Sequence, residues 1–312
     1  MRTKRIFPIT FSAIAALCAV ATNFAFGFAA TGHQLVALVS EQELTTATRH
    51  AVHALLGQET LRDVSTWADE ERERDRTTSH WHYIDYNIKT GKVEGEETTQ
   101  PTILDAISSN SVALRSPEAT TETRQRALKF LVHFLADLHQ PLHCADNNDA
   151  GGNRTHVILN GERTRLHRVW DGPVVDRMIA DLHSGKSVEQ IAARIHAKFL
   201  KEHDAFLAGN PEGWARQSFE IAKNHVYALP QPPEAGKEPV LDDNYMKKSG
   251  EIIEEQIAKA GFRLAHTLNT LLDPAYAKAH AAQLQAAPGH GNNGRKAPAA
   301  SRRESAEPAA VH

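Results

Sequence analysis

The chain has 312 residues, 41% of them apolar, with 35 Lys and Arg against 38 Asp and Glu for a formal charge of −3. That is enough apolar material for one large domain or two small ones without small-scaffold devices. The slightly acidic balance argues against gripping nucleic acid by a strongly basic surface alone, although an acidic chain can still act on it through metals. Eighteen histidines are many for a folded core and favour metal ligation.

Residues 1–27 read as an export signal. Arg2, Lys4 and Arg5 precede an apolar run from Ile6 to Ala21, and Ala25 and Gly27 stand three residues and one residue before a cut ahead of Phe28. An uncleaved membrane anchor is the alternative; Pro8, Thr10 and Ser12 within the run argue against it. Removing three basic and no acidic residues takes the formal charge from −3 to −6. Cys18 departs too, so Cys144 remains with no internal disulfide partner. A secreted or periplasmic protein without stable membrane association is expected.

Helical spacing dominates the rest. Leu44 to Leu56 reads as a helix closed by Gly57, and Leu61 to Glu71 as a second carrying Trp67 and Asp69. Thr123 to Gln140 is the strongest: Leu128, Leu131, Leu135 and Leu138 recur at three and four residues, Phe130 and Phe134 widen the face, and Pro141 stops it. Ser187 and Gln190 form a capping box for a helix to Leu200. Another helix is expected between Pro211 and Pro230, and a last over Asp243 to Leu272. A small hairpin is expected around Val157 to Leu159 with its turn at Asn160 and Gly161. The expected fold is all-α, one mainly helical domain over residues 28–275. Residues 276–312, low in complexity and densest in Pro, Gly, Ala and charge from Ala287, are expected to be a disordered tail.

His133 and Asp137 lie four apart on the strongest helix and so leave the same face; His167 and Asp171 repeat the spacing. Between them His143 follows the break at Gln140-Pro141, where a loop imidazole can turn back towards the pair. One such pair is common by chance and could satisfy itself with a hydrogen bond. Two pairs, a linking His143 and further candidates at His33, Asp69 and His82 favour a zinc or multi-zinc hydrolase, because these groups are costly to bury without a partner. Cys144 beside His143 reads as a small apolar residue rather than a ligand.

The segments "TGHQLVAL", "STWADEER", "HWHYIDY", "LKFLVHFLADLHQPLHCADNNDAGGN" and "RLHRVWD" resemble the mung-bean-type zinc-dependent nucleases of fungi and plants that cut single-stranded nucleic acid, distant relations of the bacterial zinc phospholipases C. The resemblance runs from Phe28 to "EEQIAKAGFRLAHTLN" and implies three Zn2+ held by nine residues. One zinc would take Asp69, His82, His133 and Asp137. A neighbour bridged by Asp137 would take His33 and the terminal amine and carbonyl of Phe28, and the third would take His143, His167 and Asp171. A free amine at residue 28 requires the cut after Gly27.

The family ordinarily begins Trp-Gly, whereas this chain would begin Phe28-Ala29, which puts the packing that orients residue 28 in question. The resemblance further implies that Asp69 orients the attacking water, that Arg72 stabilises the phosphoryl oxygens with Asn153 as its uncharged companion, and that Tyr83 stacks on a base whose edge Asp85 binds. Without the resemblance Arg72 reads as a solvated charge in "DEERERD". Expected partners are single-stranded DNA and RNA and nucleotides, acted on by a monomer with no obligatory protein partner; products would carry a 5'-phosphate, and 3'-nucleotidase activity is an open addition. Competing readings are a phospholipase C-like phosphodiesterase, against which His167-x-x-x-Asp171 in place of a His-x-x-x-Glu pair counts, and a non-enzymatic exported zinc-binding protein.

Overall fold

A computed structural model describes residues 28, 30–94, 99–232 and 234–281. The expected export signal and the chain beyond residue 281 lie outside the described residues. Helix α1 (Ala30–Glu43) opens the domain and α2 (Thr46–Leu56) comes next, capped by Thr45 and ended by Gly57 at φ 67°. No helix was expected at α1. Leu35, Val36, Ala37, Val39 and Ser40 are all buried, so it lacks the apolar and polar sides that make a helix visible in sequence.

The stretch expected as one helix over Leu61 to Glu71 is two, α3 (Leu61–Val64) and α4 (Trp67–Arg74). The Ser65 hydroxyl turns back onto the Arg62 carbonyl at the break, and the Ser65 carbonyl is left to accept from His133. A 3-10 turn (Arg76–His82) comes next, then α5 (Ile103–Arg115) packed against α6 (Thr121–Asp137). Helix α6 ends three residues before the expected Gln140. Gln140, pushed out of helical geometry by Pro141, leads into a second 3-10 turn (Pro141–His143).

The expected hairpin is β1 (His156–Leu159) against β2 (Glu162–Arg165), antiparallel with Val157 opposite Thr164 and a turn of positive φ at Asn160 and Gly161. Helices α7 (Leu166–Asp171), α8 (Pro173–Leu182) and α9 (Val188–Phe199) come after it, the last with the capping box of Ser187 and Gln190. After the short α10 (His203–Leu207), α11 (Pro211–Ile221) passes into a π-helical turn (Ala222–Val226), so the helix expected to reach Pro230 stops earlier.

Helix α12 (Asp243–Leu272) is the hub and packs on α1, α6, α8, α9 and α10. Its contact with α1 depends on Gly261, where a Cβ would collide with Val39. Helix α13 (Pro274–Ala279) carries ordered chain past the expected boundary at 275, because the Tyr276 hydroxyl hydrogen-bonds His266 of α12 at 2.9 Å. The fold is mainly helical, and no described helix is long and apolar enough to cross a membrane. Its core includes a cluster of buried polar side chains where α4, the start of α1, the end of α6, the turn after it and α7 converge.

Candidate metal centre

Asp137, the last residue of α6, is fully buried and gathers four imidazoles. Its Oδ2 lies 2.9 Å from His82 Nδ1 and 3.0 Å from His133 Nε2, and its Oδ1 lies 3.4 Å from His33 Nε2 and 3.6 Å from His143 Nδ1. Asp69 of α4 approaches from the more exposed side, its Oδ1 3.7 Å from His133 Nε2 and 3.9 Å from His82 Nδ1. The His33 and His133 rings stack with centroids 4.1 Å apart. His143 and His167 stack at 5.3 Å, and His167 Nε2 is 3.5 Å from Asp171 Oδ2.

Three groups of candidate metal-ligand atoms result: His82, His133 and Asp137; His33, Asp69 and His133; and His143, His167 and Asp171. The first brings together three of the four residues expected for one zinc, without Asp69, and the third brings together the three expected for another. In the second, His33 meets Asp69 and His133 as well as the expected Asp137. Cys144 is outside the three groups; its buried thiol contacts the Leu138 carbonyl, and burial pushes its pKa up.

Whether these residues suit a metal is decided by what they lack. Both ring nitrogens of His33, Asp69 Oδ1, Asp137 Oδ1 and Asp171 Oδ2 are buried and make no hydrogen bond among the described residues. Unpaired polar atoms cost about 1–3 kcal/mol each when buried, more when charged, and a divalent cation relieves several at once. Elsewhere the second nitrogen of an imidazole is tied down. His133 Nδ1 donates to the Ser65 carbonyl, His143 Nδ1 to the His82 carbonyl at 2.8 Å, and His167 Nδ1 to the Gly151 carbonyl at 2.6 Å. Each bond aims the remaining nitrogen, as metal-binding histidines require.

The electrostatics agree for three of the four imidazoles around Asp137. Burial holds His82 and His143 down at about 4, and burial with the neighbouring His133 lowers His33, so these rings are neutral and able to ligate. Burial opposes the charge on His133, yet Asp137 and Asp69 overcome it and hold that ring up at about 9. Burial raises Asp171 despite the hydrogen bond it accepts from Gln140.

Arg72, one turn along α4, is mostly buried with Nη2 3.2 Å from Asp69 Oδ1. Tyr83 is half-buried and its hydroxyl hydrogen-bonds His80 Nδ1 at 2.9 Å; Asp85 is half-buried two residues on. Asn153 is exposed, its amide donating to the Ala150 carbonyl. Phe28 is buried with its ring edge-on to His33 at 6.1 Å.

Gln140 was not anticipated. Its amide nitrogen donates to Asp171 Oδ1 at 2.7 Å and its oxygen accepts from the Leu142 amide. The only sign in the sequence is a polar residue amid "LHQPLH".

The S1/P1 nuclease family matches residues 28–273, nearly the whole described chain. The chain belongs to the S1/P1 nuclease family. It is 28% identical to Nuclease S1 of Aspergillus oryzae over 295 residues, covering 86% of this chain and 98% of that protein. To Endonuclease 4 of Arabidopsis thaliana it is 27% identical over 276 residues, 80% of this chain and 90% of the relative. To Nuclease P1 of Penicillium citrinum it is 25% identical over 265 residues, 78% and 97%. This S1/P1 chain is an enzyme that hydrolyses phosphodiester bonds, in a zinc-dependent family.

Proposed function

We propose that the chain is an exported, monomeric nuclease that uses three zinc ions to cut single-stranded DNA and RNA, leaving 5'-phosphates, and that also removes the phosphate of 3'-nucleotides. The observation that carries this reading is the convergence of three His and Asp groups, each with buried atoms that lack hydrogen bonds, with Arg72 beside them. Asp69, His82, His133 and Asp137 would hold one zinc. His33, Asp137 and the amine and carbonyl of Phe28 would hold the second, and His143, His167 and Asp171 the third. Bound zinc supplies Lewis acidity towards phosphoryl oxygens and lowers the pKa of water.

The chain's own groups do the rest. Asp69, the carboxylate of the set most open to solvent at 24% of its side chain, orients the attacking water. Arg72 reaches past it to the charge that develops on the phosphoryl oxygens, with Asn153 as its uncharged companion. Tyr83 offers a face to an unpaired base and Asp85 takes its edge. Bases in a duplex are already stacked, so open strands are preferred without sequence readout.

Export is supported by the signal-like residues 1–27 and by the family match beginning at residue 28, where cleavage would free the amine. The folded unit then runs from 28 to the end of α13, followed by the low-complexity tail.

An activity panel tests the function: single-stranded DNA, RNA, duplex DNA, a 3'-nucleotide and phosphatidylcholine, with products typed by their terminal phosphate. Rapid single-strand cleavage to 5'-phosphates with the lipid untouched is expected. Hydrolysis of the lipid in preference to nucleic acid, or no hydrolysis by zinc-loaded protein, contradicts it.

A further inference from the structure

Residues 146–155 form a loop wound round two carboxylates. Asp146 accepts the amides of Asn148, Asp149 and Gly151, and Asp149 Oδ1 accepts the Gly152 amide at 2.8 Å while its Oδ2 takes the Thr155 hydroxyl. Four positive φ angles, at Asn148, Ala150, Gly151 and Gly152, give the tight coil. At Gly151 a Cβ would stand 2.8 Å from the Leu142 carbonyl, so the close approach needs glycine.

This winding does two things beside the His and Asp groups. It sets the Gly151 carbonyl against His167 Nδ1, fixing the ring of a proposed ligand, and it holds Asn153 outward through the Ala150 carbonyl.

The tie to the rest of the domain comes from an unusual place. Tyr227 stands just after the π-helical turn at the end of α11, and its amide bonds the Ala222 carbonyl five residues back at 2.9 Å. The extra residue rotates the chain beyond it by about 100° relative to an unbroken α-helix. The Tyr227 hydroxyl then donates to Asp149 Oδ1 at 2.9 Å. Burial and the neighbouring Asp149 push this phenol upward, so it stays a donor at neutral pH.

We propose that Tyr227 is a positioning residue for phosphodiester hydrolysis: through Asp149 it holds the 146–155 loop in the coil that orients His167 and presents Asn153. This deepens the proposed function and rests on it.

The test is Tyr227→Phe, which keeps the ring and removes only the hydroxyl, with Tyr276→Phe on α13 as the distant control. Amide exchange at Gly151 and Gly152 is expected to quicken about tenfold in Tyr227→Phe while other helices keep their protection. Turnover is expected to fall about tenfold with KM within about twofold, the signature of a group acting after substrate is bound. Zinc is expected to leave faster under chelator, and the midpoint of thermal unfolding to move by less than about 2 °C.

Unchanged loop exchange overturns the proposal. So does faster exchange with unaltered turnover, or a loss of protection spread over the whole domain. If the wild-type protein cleaves no phosphodiester, the proposed function falls and this role in hydrolysis with it, while the exchange comparison still reports separately whether Tyr227 holds the loop.

Discussion

Two histidines near the end of α6 lie in opposite kinds of interior. His133 and His139 are equally buried. On the His139 side, Nδ1 donates to the Leu135 carbonyl and Nε2 accepts from Arg263 at 2.7 Å. Arg263 also donates to the Phe206 carbonyl and to Gln217, with its guanidinium over the Trp214 ring. Burial lowers Arg263 to about 9, and burial with that cation beside it keeps His139 well below its ordinary value and neutral. On the Asp137 side, carboxylate oxygens and both nitrogens of His33 are left without hydrogen bonds. A buried histidine is therefore no sign of metal; unsatisfied carboxylates beside it are. His183 with Glu254, His196 with Glu43 and His225 with Ser249 confirm that much of the histidine count is partnered by protein.

The sharpest way to break this contrast is Asp137→Asn. Losing a charge that faces four imidazoles is expected to cost at least ~100-fold in turnover, comparable with removal of a key electrostatic group. Wild-type turnover with full zinc would remove Asp137 from the centre.

Around His139, Arg263→Met leaves the His139 ring and the Phe206 carbonyl unpaired, which is expected to cost on the order of 3 kcal/mol of stability. Zinc content and turnover of the folded fraction are expected to hold. Denaturant melts with metal analysis measure both, and zinc loss at unchanged stability would mean that the two interiors are not separate.

A smaller effect sharpens the picture beside the His and Asp groups. Tyr83→Ala is expected to lose roughly 1–3 kcal/mol of base stacking and some preference for open strands, with zinc untouched. Equal binding of single strands by both proteins would exclude Tyr83 from the site.

The contrast also explains what the sequence could disclose. The i, i+4 pairs on α6 and α7 fix which side chains share a face, so His133 with Asp137 and His167 with Asp171 were legible from spacing. Helix α12 and the hairpin were legible for similar reasons of period and turn chemistry. Helix α1 was not, being buried on several sides, nor was the break at Ser65, whose carbonyl serves a residue 68 positions away. Gln140, Tyr227 and the His139 to Arg263 network depend on contacts between distant segments, which no local pattern records. Tyr83, Asp85, Arg72 and Asn153 were singled out by family resemblance.

Three zinc ions, one on each proposed ligand set, are what would set the Asp137 side apart from the His139 side. Elemental analysis of zinc per chain, on protein beginning at Phe28, tests this most directly. One ion for each group, three in all, is the expected count, falling to two when a Met precedes Phe28 and displaces its amine. A chain that folds and cleaves nucleic acid with no zinc bound would contradict the account.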